Sequence, residues 1–141
     1  MKDKTNSRKA ELPDVESVSR WIDSLLEIVE IVTDTLANVC EKNGKLNSRY
    51  LDEQQVSCFE LAWATAELLA AQSGLRAMAR HSDPLNSRLV LVFLAEAMQT
   101  VRNRLENIML ALDLNDENLQ ALLSQPDVKA FRSHVLGREF L

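Results

Sequence analysis

The sequence contains few of the residues that make turns. Only three glycines and three prolines occur among 141 residues, and aromatic residues make up 5% of the chain. A β-sandwich or barrel needs a turn signal about every 8–12 residues, so this composition excludes a fold of many short strands. With 46% hydrophobic residues, a chain of this length can bury a core of its own as one domain. The composition therefore predicts an all-α protein built from a few long helices.

The chain also lacks an excess of basic charge and a long apolar run. Sixteen lysines and arginines stand against 21 aspartates and glutamates, which gives a net charge of −5. Such a domain has no field that would gather nucleic-acid phosphates, and no helix face rich in Lys or Arg that favours membrane contact. The longest apolar run, residues 89–95, is far shorter than the ~20 residues that span a bilayer, and no signal peptide follows Met1. We expect a soluble, cytoplasmic protein without a nucleic-acid partner and without membrane contact.

Residues arranged for catalysis, metal binding or cofactor binding are scarce. His81 and His134 are the only histidines, and Glu-x-x-His, Cys-x-x-Cys, Gly-x-Ser-x-Gly and clustered glycines do not occur. Cys40 and Cys58 lie within helical patterns and are expected to be small core residues of a protein from a reducing compartment. Glu96 interrupts an apolar run, and we interpret it as a carboxylate at the rim of an interface. The sequence predicts no catalytic, cofactor or metal site in this chain.

The first two helices are predicted from caps and apolar spacing. Helix one covers residues 14–43, because Asp14 can cap its start and Asn43-Gly44 can end it in a left-handed conformation. Helix two covers about residues 50–81, and its apolar and small residues on all sides predict a central position with burial all round. The seam of helix one recurs in steps of three and four residues: Val18, Ile22, Leu25, Val29, Val32, Leu36 and Val39.

Start signals in the second half of the sequence predict one more long helix and a fourth helix that is broken in two. Asp83-Pro84 is a strong start signal for helix three, which runs to about residue 112. A short helix opens at residues 115–117, and Pro126 restarts a last helix that ends at Gly137. We therefore predict an up-and-down four-helix bundle over residues 14–141, with long helices one to three and a fourth broken at Gln125-Pro126. Residues 1–13 are polar and are expected to form a disordered linker or lead-in.

Helices one and three carry more apolar surface than one seam requires. Trp21 and Ile28 lie beside the seam of helix one, and Leu89 and Phe93 lie beside the seam of helix three. The seam of helix three consists of Leu91, Leu94, Met98, Val101, Leu105, Ile108 and Leu112. We predict that these four residues form an exposed docking face for a partner, for another copy or for another domain of the same chain. The alternative is a wide stripe that meets two neighbours inside one bundle.

Residues 51–78, LDEQQVSCFELAWATAELLAAQSGLRAM, carry a more specific pattern. Its elements are the step 52–54 (Asp-Glu-Gln), the pair Leu61-Ala62, and Glu67-Leu68 followed by small residues. This segment resembles the C-terminal helical extension of the longer acyl-CoA dehydrogenases, including the very-long-chain type, with one extra residue in the spacing. The order of a long helix, a polar loop and a later helix with an Arg-rich second half extends the resemblance over about residues 15–136.

The resemblance implies a parent flavoenzyme that binds FAD and oxidises acyl-CoA thioesters to enoyl-CoA with a glutamate base. No segment here matches the flavin-binding motifs or the catalytic glutamate region of that family, so no catalytic role or cofactor passes to any residue of this chain. In the family, such extensions form a helical bundle that contributes to subunit packing or, in some members, to membrane association. The resemblance thus implies a non-catalytic C-terminal domain whose partner is the rest of the parent enzyme or another copy.

Two other functions remain open from the sequence. A free-standing four-helix scaffold or adaptor that self-associates would carry the same apolar faces without any attached enzyme. A bundle that binds acyl chains would need a continuous apolar cavity. The small residues of helix two favour close packing of backbones over such a cavity.

Overall fold

The computed structural model describes residues 14–81, 83–137 and 140, and the predicted linker at residues 1–13 lies outside them. The described part is an all-α bundle with one minimal hairpin. Three long helices pack together, and two short helices in sequence take the place of a fourth, as predicted. The elements are α1 (Val15–Val39), β1 (Glu41–Lys42), β2 (Lys45–Leu46), α2 (Ser48–Glu53), α3 (Gln55–Arg80), α4 (Pro84–Ala111), α5 (Glu117–Leu123) and α6 (Pro126–Val135).

The predicted starts of α1 and α4 are confirmed by their caps. The Asp14 carboxylate accepts a hydrogen bond from the Ser17 amide at 2.9 Å. The Asp83 carboxylate accepts from the Leu85 amide at 2.9 Å, and proline occupies the first helical position after it. Both caps satisfy amides that have no partner within the helix. Local side-chain chemistry therefore sets where these two helices begin.

The end of helix one differs from the prediction. The helix stops at Val39, and Asn43-Gly44 forms the turn of a two-stranded antiparallel hairpin in which Glu41 pairs with Leu46. Asn43 and Gly44 both have positive φ, at 54° and 77°, as a two-residue hairpin turn of this type requires. The same dipeptide suits a helix end and a hairpin turn, and here the hairpin forms.

The core lies where α1, α3 and α4 meet beneath α5 and α6. The helix α3 packs against both α1 and α4, whereas α5 packs on α1 and α6 on α4. The rings of Trp21 in α1 and Phe131 in α6 are 5.6 Å apart. The short helices thus close the side of the bundle that α3 leaves open. The seam of α1 is buried at Val18, Ile22, Leu25, Val29, Val32 and Leu36, whereas Val39 is exposed.

The prediction for helix two is wrong in two respects. It is divided at Gln54 into α2 and α3, and α3 is not buried all round. Its buried residues occupy one side only: Ser57, Ala64, Leu68, Ala71 and Leu75. The side facing away from the bundle is exposed although it is apolar, because no element of the described chain covers it.

The side chains of Gln72 and Gln99 form hydrogen bonds between helices. The Gln72 side-chain amide donates to Asp23 of α1 at 3.4 Å. The Gln99 carbonyl accepts from Arg132 of α6. Interhelical hydrogen bonds therefore join α3 to α1 and α4 to α6.

Candidate interaction surface

The four residues of the predicted docking face do not come together. Trp21 and Ile28 are each only 7% exposed, so the prediction that they are exposed is wrong. The reason is that α6 covers Trp21 through Phe131, and α5 packs on the part of α1 that carries Ile28. Leu89 and Phe93 are exposed at 49% and 39%. For the α1 pair, the alternative of a wide stripe inside one bundle is the observed arrangement.

The main apolar surface lies on α3 instead. One side of this helix, which we call the α3 face, is exposed over six turns and carries no charged residue. Successive members are three or four residues apart, the spacing that keeps side chains on one side of a helix. The α3 face consists of Val56, Phe59, Ala62, Trp63, Ala66, Leu69, Ala70, Ser73 and Ala77. An uncharged face of this length is unusual on the surface of a monomer, where large apolar patches mark interaction sites.

Two aromatic residues dominate the N-terminal half of the α3 face. Phe59 and Trp63 are 59% and 47% exposed, and their ring centroids are 6.2 Å apart in an edge-to-face arrangement. The guanidinium carbon of Arg104 lies 5.8 Å from the Trp63 ring centroid. Arg104 is in turn held by Glu60 at 2.9 Å and Glu67 at 3.4 Å. The Trp63 ring therefore contacts a cation of α4, Arg104, that is itself ion-paired.

The α3 face continues onto α4. The two helices run antiparallel, because Glu60 is paired with Arg104 near the C-terminal half of α4 and Gly74 lies against Val90 near its start. A shallow groove of about 310 Å³ between them is lined by Ala77 of the α3 face and by Leu89. Phe93 follows Leu89 by one helical turn and lies on the same side of α4. We call the α3 face together with Leu89 and Phe93 the α3–α4 surface.

Sequence reasoning found two residues of this surface and missed Phe59 and Trp63. The prediction of a helix buried all round places both aromatics in the core, because α3 has apolar or small residues on every side. The signal that could have identified them is the absence of charge: between residues 56 and 77, the only charged residues are Glu60, Glu67 and Arg76. The glutamates face α4, where both pair with Arg104. Arg76 is exposed at the edge of the α3 face, seven residues after Leu69.

The residues considered for chemistry remain apart. Burial raises the pKa of the Cys40 thiol, and the neighbouring Cys58 raises it further, which disfavours the reactive thiolate. Three further residues are exposed and belong to different elements: His81 at the end of α3, Glu96 in α4 and His134 in α6. Within residues 14–81, 83–137 and 140, no group of three His, Cys, Asp or Glu side chains is placed to hold a metal ion.

Comparison with known proteins does not identify a family for this chain. The sequence matches no protein-family model and no curated protein. In the part of the chain that the structure describes, no helix combines the length and the apolar character needed to cross a membrane. The arrangement that remains to be explained is therefore the exposed α3–α4 surface on a well-packed bundle.

Proposed function

We propose that this chain is a non-catalytic helical domain of an acyl-CoA dehydrogenase-family flavoprotein, in which it acts in the packing of domains or subunits. The observation that supports a packing role is the α3–α4 surface, with Phe59, Trp63, Leu89 and Phe93 exposed on one side of the bundle. Covering this surface removes apolar area from water without desolvating an unpaired charge. The assignment to a dehydrogenase rests on the resemblance over residues 51–78. In this proposal, FAD belongs to the parent protein, which is cytoplasmic.

A free-standing scaffold or adaptor is the second candidate. It is favoured by the order of side chains along the centre of the α3 face, where Phe59 and Trp63 precede Ala66, Ala70, Ser73 and Ala77. Such an order suits self-association, which does not require an attached enzyme. Both candidates use the same surface, so they differ in what the rest of the protein is.

The size and colour of the native gene product separate the two candidates. An antiserum against this domain would isolate the native protein from its own cells. A protein several times larger than 15.9 kDa with the visible absorbance of flavin is the expected result. A colourless native protein of this same length would overturn the dehydrogenase proposal and leave the scaffold.

A pair of variants tests the packing role itself. Phe93→Asp places a carboxylate within the α3–α4 surface and is expected to leave the bundle helical while abolishing association. Leu110→Asp is the matched control, because Leu110 is 65% exposed on the side of α4 away from α3. Circular dichroism measures the fold, and co-purification with the remainder of the native assembly measures association. Loss of helical structure in Phe93→Asp alone would show that Phe93 is a core residue.

A further inference from the structure

The side chains of the α3 face are ordered by size along the helix. Val56, Phe59 and Trp63 occupy its N-terminal half. The C-terminal half presents Ala66, Ala70, Ser73 and Ala77 along its centre, with Leu69 at its edge. The first half is therefore a row of projecting side chains. The centre of the second half is a shallow channel along the helix. A helix with this order is complementary to itself when a second copy runs in the opposite direction.

We propose that the partner of the α3–α4 surface is a second copy of this chain, packed with its α3 antiparallel about a two-fold axis near Ala66. This proposal rests on the packing role proposed above and names the partner. An axis at this position places Trp63 against Ala70 of the second copy, and Val56 against Ala77 of the second copy. A two-fold interface repeats each contact, so Trp63 and Val56 of both copies each meet a small residue. Projecting residues then fill the spaces between small residues of the facing helix.

The exposed area is sufficient for a stable dimer. An aromatic side chain offers about 150–250 Å², so the exposed parts of the large residues amount to on the order of 600 Å² of apolar side chain per copy. A standard interface covers about 800 Å² of each partner. The four alanines of the α3 face and the polar rim around it provide the remaining area. Trp63 and Arg104 are also of the residue types that contribute most to binding at protein interfaces.

Electrostatics favour the second copy as well. None of the nine residues of the α3 face is charged, and the exposed Arg76 lies at the edge of the face, where its guanidinium can stay in water. The charges at its edge toward α4 are already paired within each copy, where Arg104 contacts Glu60 and Glu67. Burial of a paired charge costs far less than burial of an isolated one. Two copies, each with a net charge of −5, can therefore meet through this surface without burying their excess charge.

The mass of the chain in solution tests the proposal. Sedimentation equilibrium is expected to give twice 15.9 kDa for the wild-type chain. Ala70→Glu puts a carboxylate opposite Trp63 of the second copy and is expected to give a monomer of unchanged helical content. Leu110→Glu, the matched change on the opposite side of α4, is expected to remain a dimer. A wild-type monomer, or a dimer that Ala70→Glu does not weaken, would overturn the proposal.

Engineered cysteines test the antiparallel direction. Ala66→Cys lies beside the axis, so the two introduced thiols face each other and are expected to form a disulfide between copies under mild oxidation. Ala77→Cys lies near the end of the α3 face, about 30 Å from its equivalent at 1.5 Å of rise per residue, and is expected not to do so. Both are made in a Cys58→Ser background, since Cys40 is buried. Cross-linking of both variants, of neither, or of Ala77→Cys alone would rule out this packing.

Failure of this proposal can be distinguished from failure of the proposed function. A monomeric chain whose native protein is large and contains flavin would overturn the second copy and leave the dehydrogenase proposal standing. A colourless native protein of this length that dimerises through Ala70 would overturn the dehydrogenase proposal and leave the proposed dimer standing. If neither Ala70→Glu nor Phe93→Asp changes any association of the native protein, the packing role itself is wrong.

Discussion

Arg104 of α4 lies against the ring of Trp63 on α3, with 5.8 Å between the guanidinium carbon and the ring centroid. The same guanidinium reaches Glu60 and Glu67, two carboxylates one helical turn of α3 from Trp63 on either side. The side chains of the three ionised residues are between 19% and 24% exposed. One arginine therefore joins the two longest helices and fixes the principal aromatic residue of the α3–α4 surface.

We expect Arg104→Ala to destabilise the bundle by about 1–3 kcal/mol, because two half-buried carboxylates lose their shared cation. The matched control is Arg49→Ala, which removes an exposed arginine paired with Glu53 at 3.3 Å. An exposed pair contributes about 0–1 kcal/mol, so this variant is expected to unfold close to wild type. Urea unfolding followed by circular dichroism measures both. Equal losses would show that the Arg104 cluster is no more than a surface ion pair.

A second prediction compares two phenylalanines that differ in burial. Phe131 is 2% exposed and packs on Trp21, whereas Phe59 is 59% exposed. Phe131→Ala leaves a cavity in the core and is expected to cost about 3–5 kcal/mol of unfolding free energy. Phe59→Ala is expected to cost less than about 1 kcal/mol in dilute solution. Urea midpoints at one dilute protein concentration make the comparison, and a comparable loss for Phe59→Ala would place Phe59 in the core.

Gly74 is the point of closest approach between α3 and α4. A Cβ atom there would lie 3.2 Å from Cγ1 of Val90, which is tighter than ordinary contact. Replacing a helical glycine by alanine stabilises a helix by about 1 kcal/mol, and this gain opposes the crowding. We expect Gly74→Ala to change the free energy of unfolding by less than about 1 kcal/mol in the wild-type chain and to stabilise by about 1 kcal/mol in a Val90→Ala background. Thermal unfolding of the four proteins of this double-mutant cycle tests the coupling, and additive effects would contradict it.

Features governed by neighbouring residues could be predicted from the sequence. A few neighbouring residues determine the helix caps at Asp14 and Asp83 and the break at Gln125-Pro126. These local signals made it possible to predict where α1 and α4 start and that the bundle has four parts. The end of helix one could not be obtained in this way. Asn43-Gly44 supplies positive φ for either a helix end or a hairpin turn, and the pairing of residues 41–42 with 45–46 decides between them.

The interaction surface depended on tertiary placement, so only part of it was predictable. Trp21 and Trp63 both lie in long apolar helices, and nothing local shows which one a neighbour will cover. The docking of α6 buries Trp21 against Phe131, and no described element covers Trp63. Leu89 and Phe93 are exposed, as expected. Their role in docking stays a prediction.

The last prediction concerns acid and the cap of α1. Hydrogen bonds from the Ser17 hydroxyl and then from the Ser17 amide lower the pKa of Asp14 below its ordinary value, which is about 3.9. A carboxyl group whose pKa is lower in the folded state stabilises the fold above its ordinary pKa. That stabilisation is lost as the pH falls through the lowered value. Asp14→Asn keeps an acceptor for the cap but cannot ionise, so its contribution does not change with pH.

The melting temperature of the wild-type chain relative to Asp14→Asn should therefore decrease as the pH is lowered from neutrality to below the ordinary pKa of aspartate. Asp34→Asn is the matched control, since it removes an exposed carboxylate from the interior of α1, away from the unpaired amides at its start. Thermal unfolding by circular dichroism at neutral and acidic pH provides both differences. If the Asp14 and Asp34 variants diverge from the wild-type chain equally, the acid response comes from net charge, and the cap of α1 does not contribute to it.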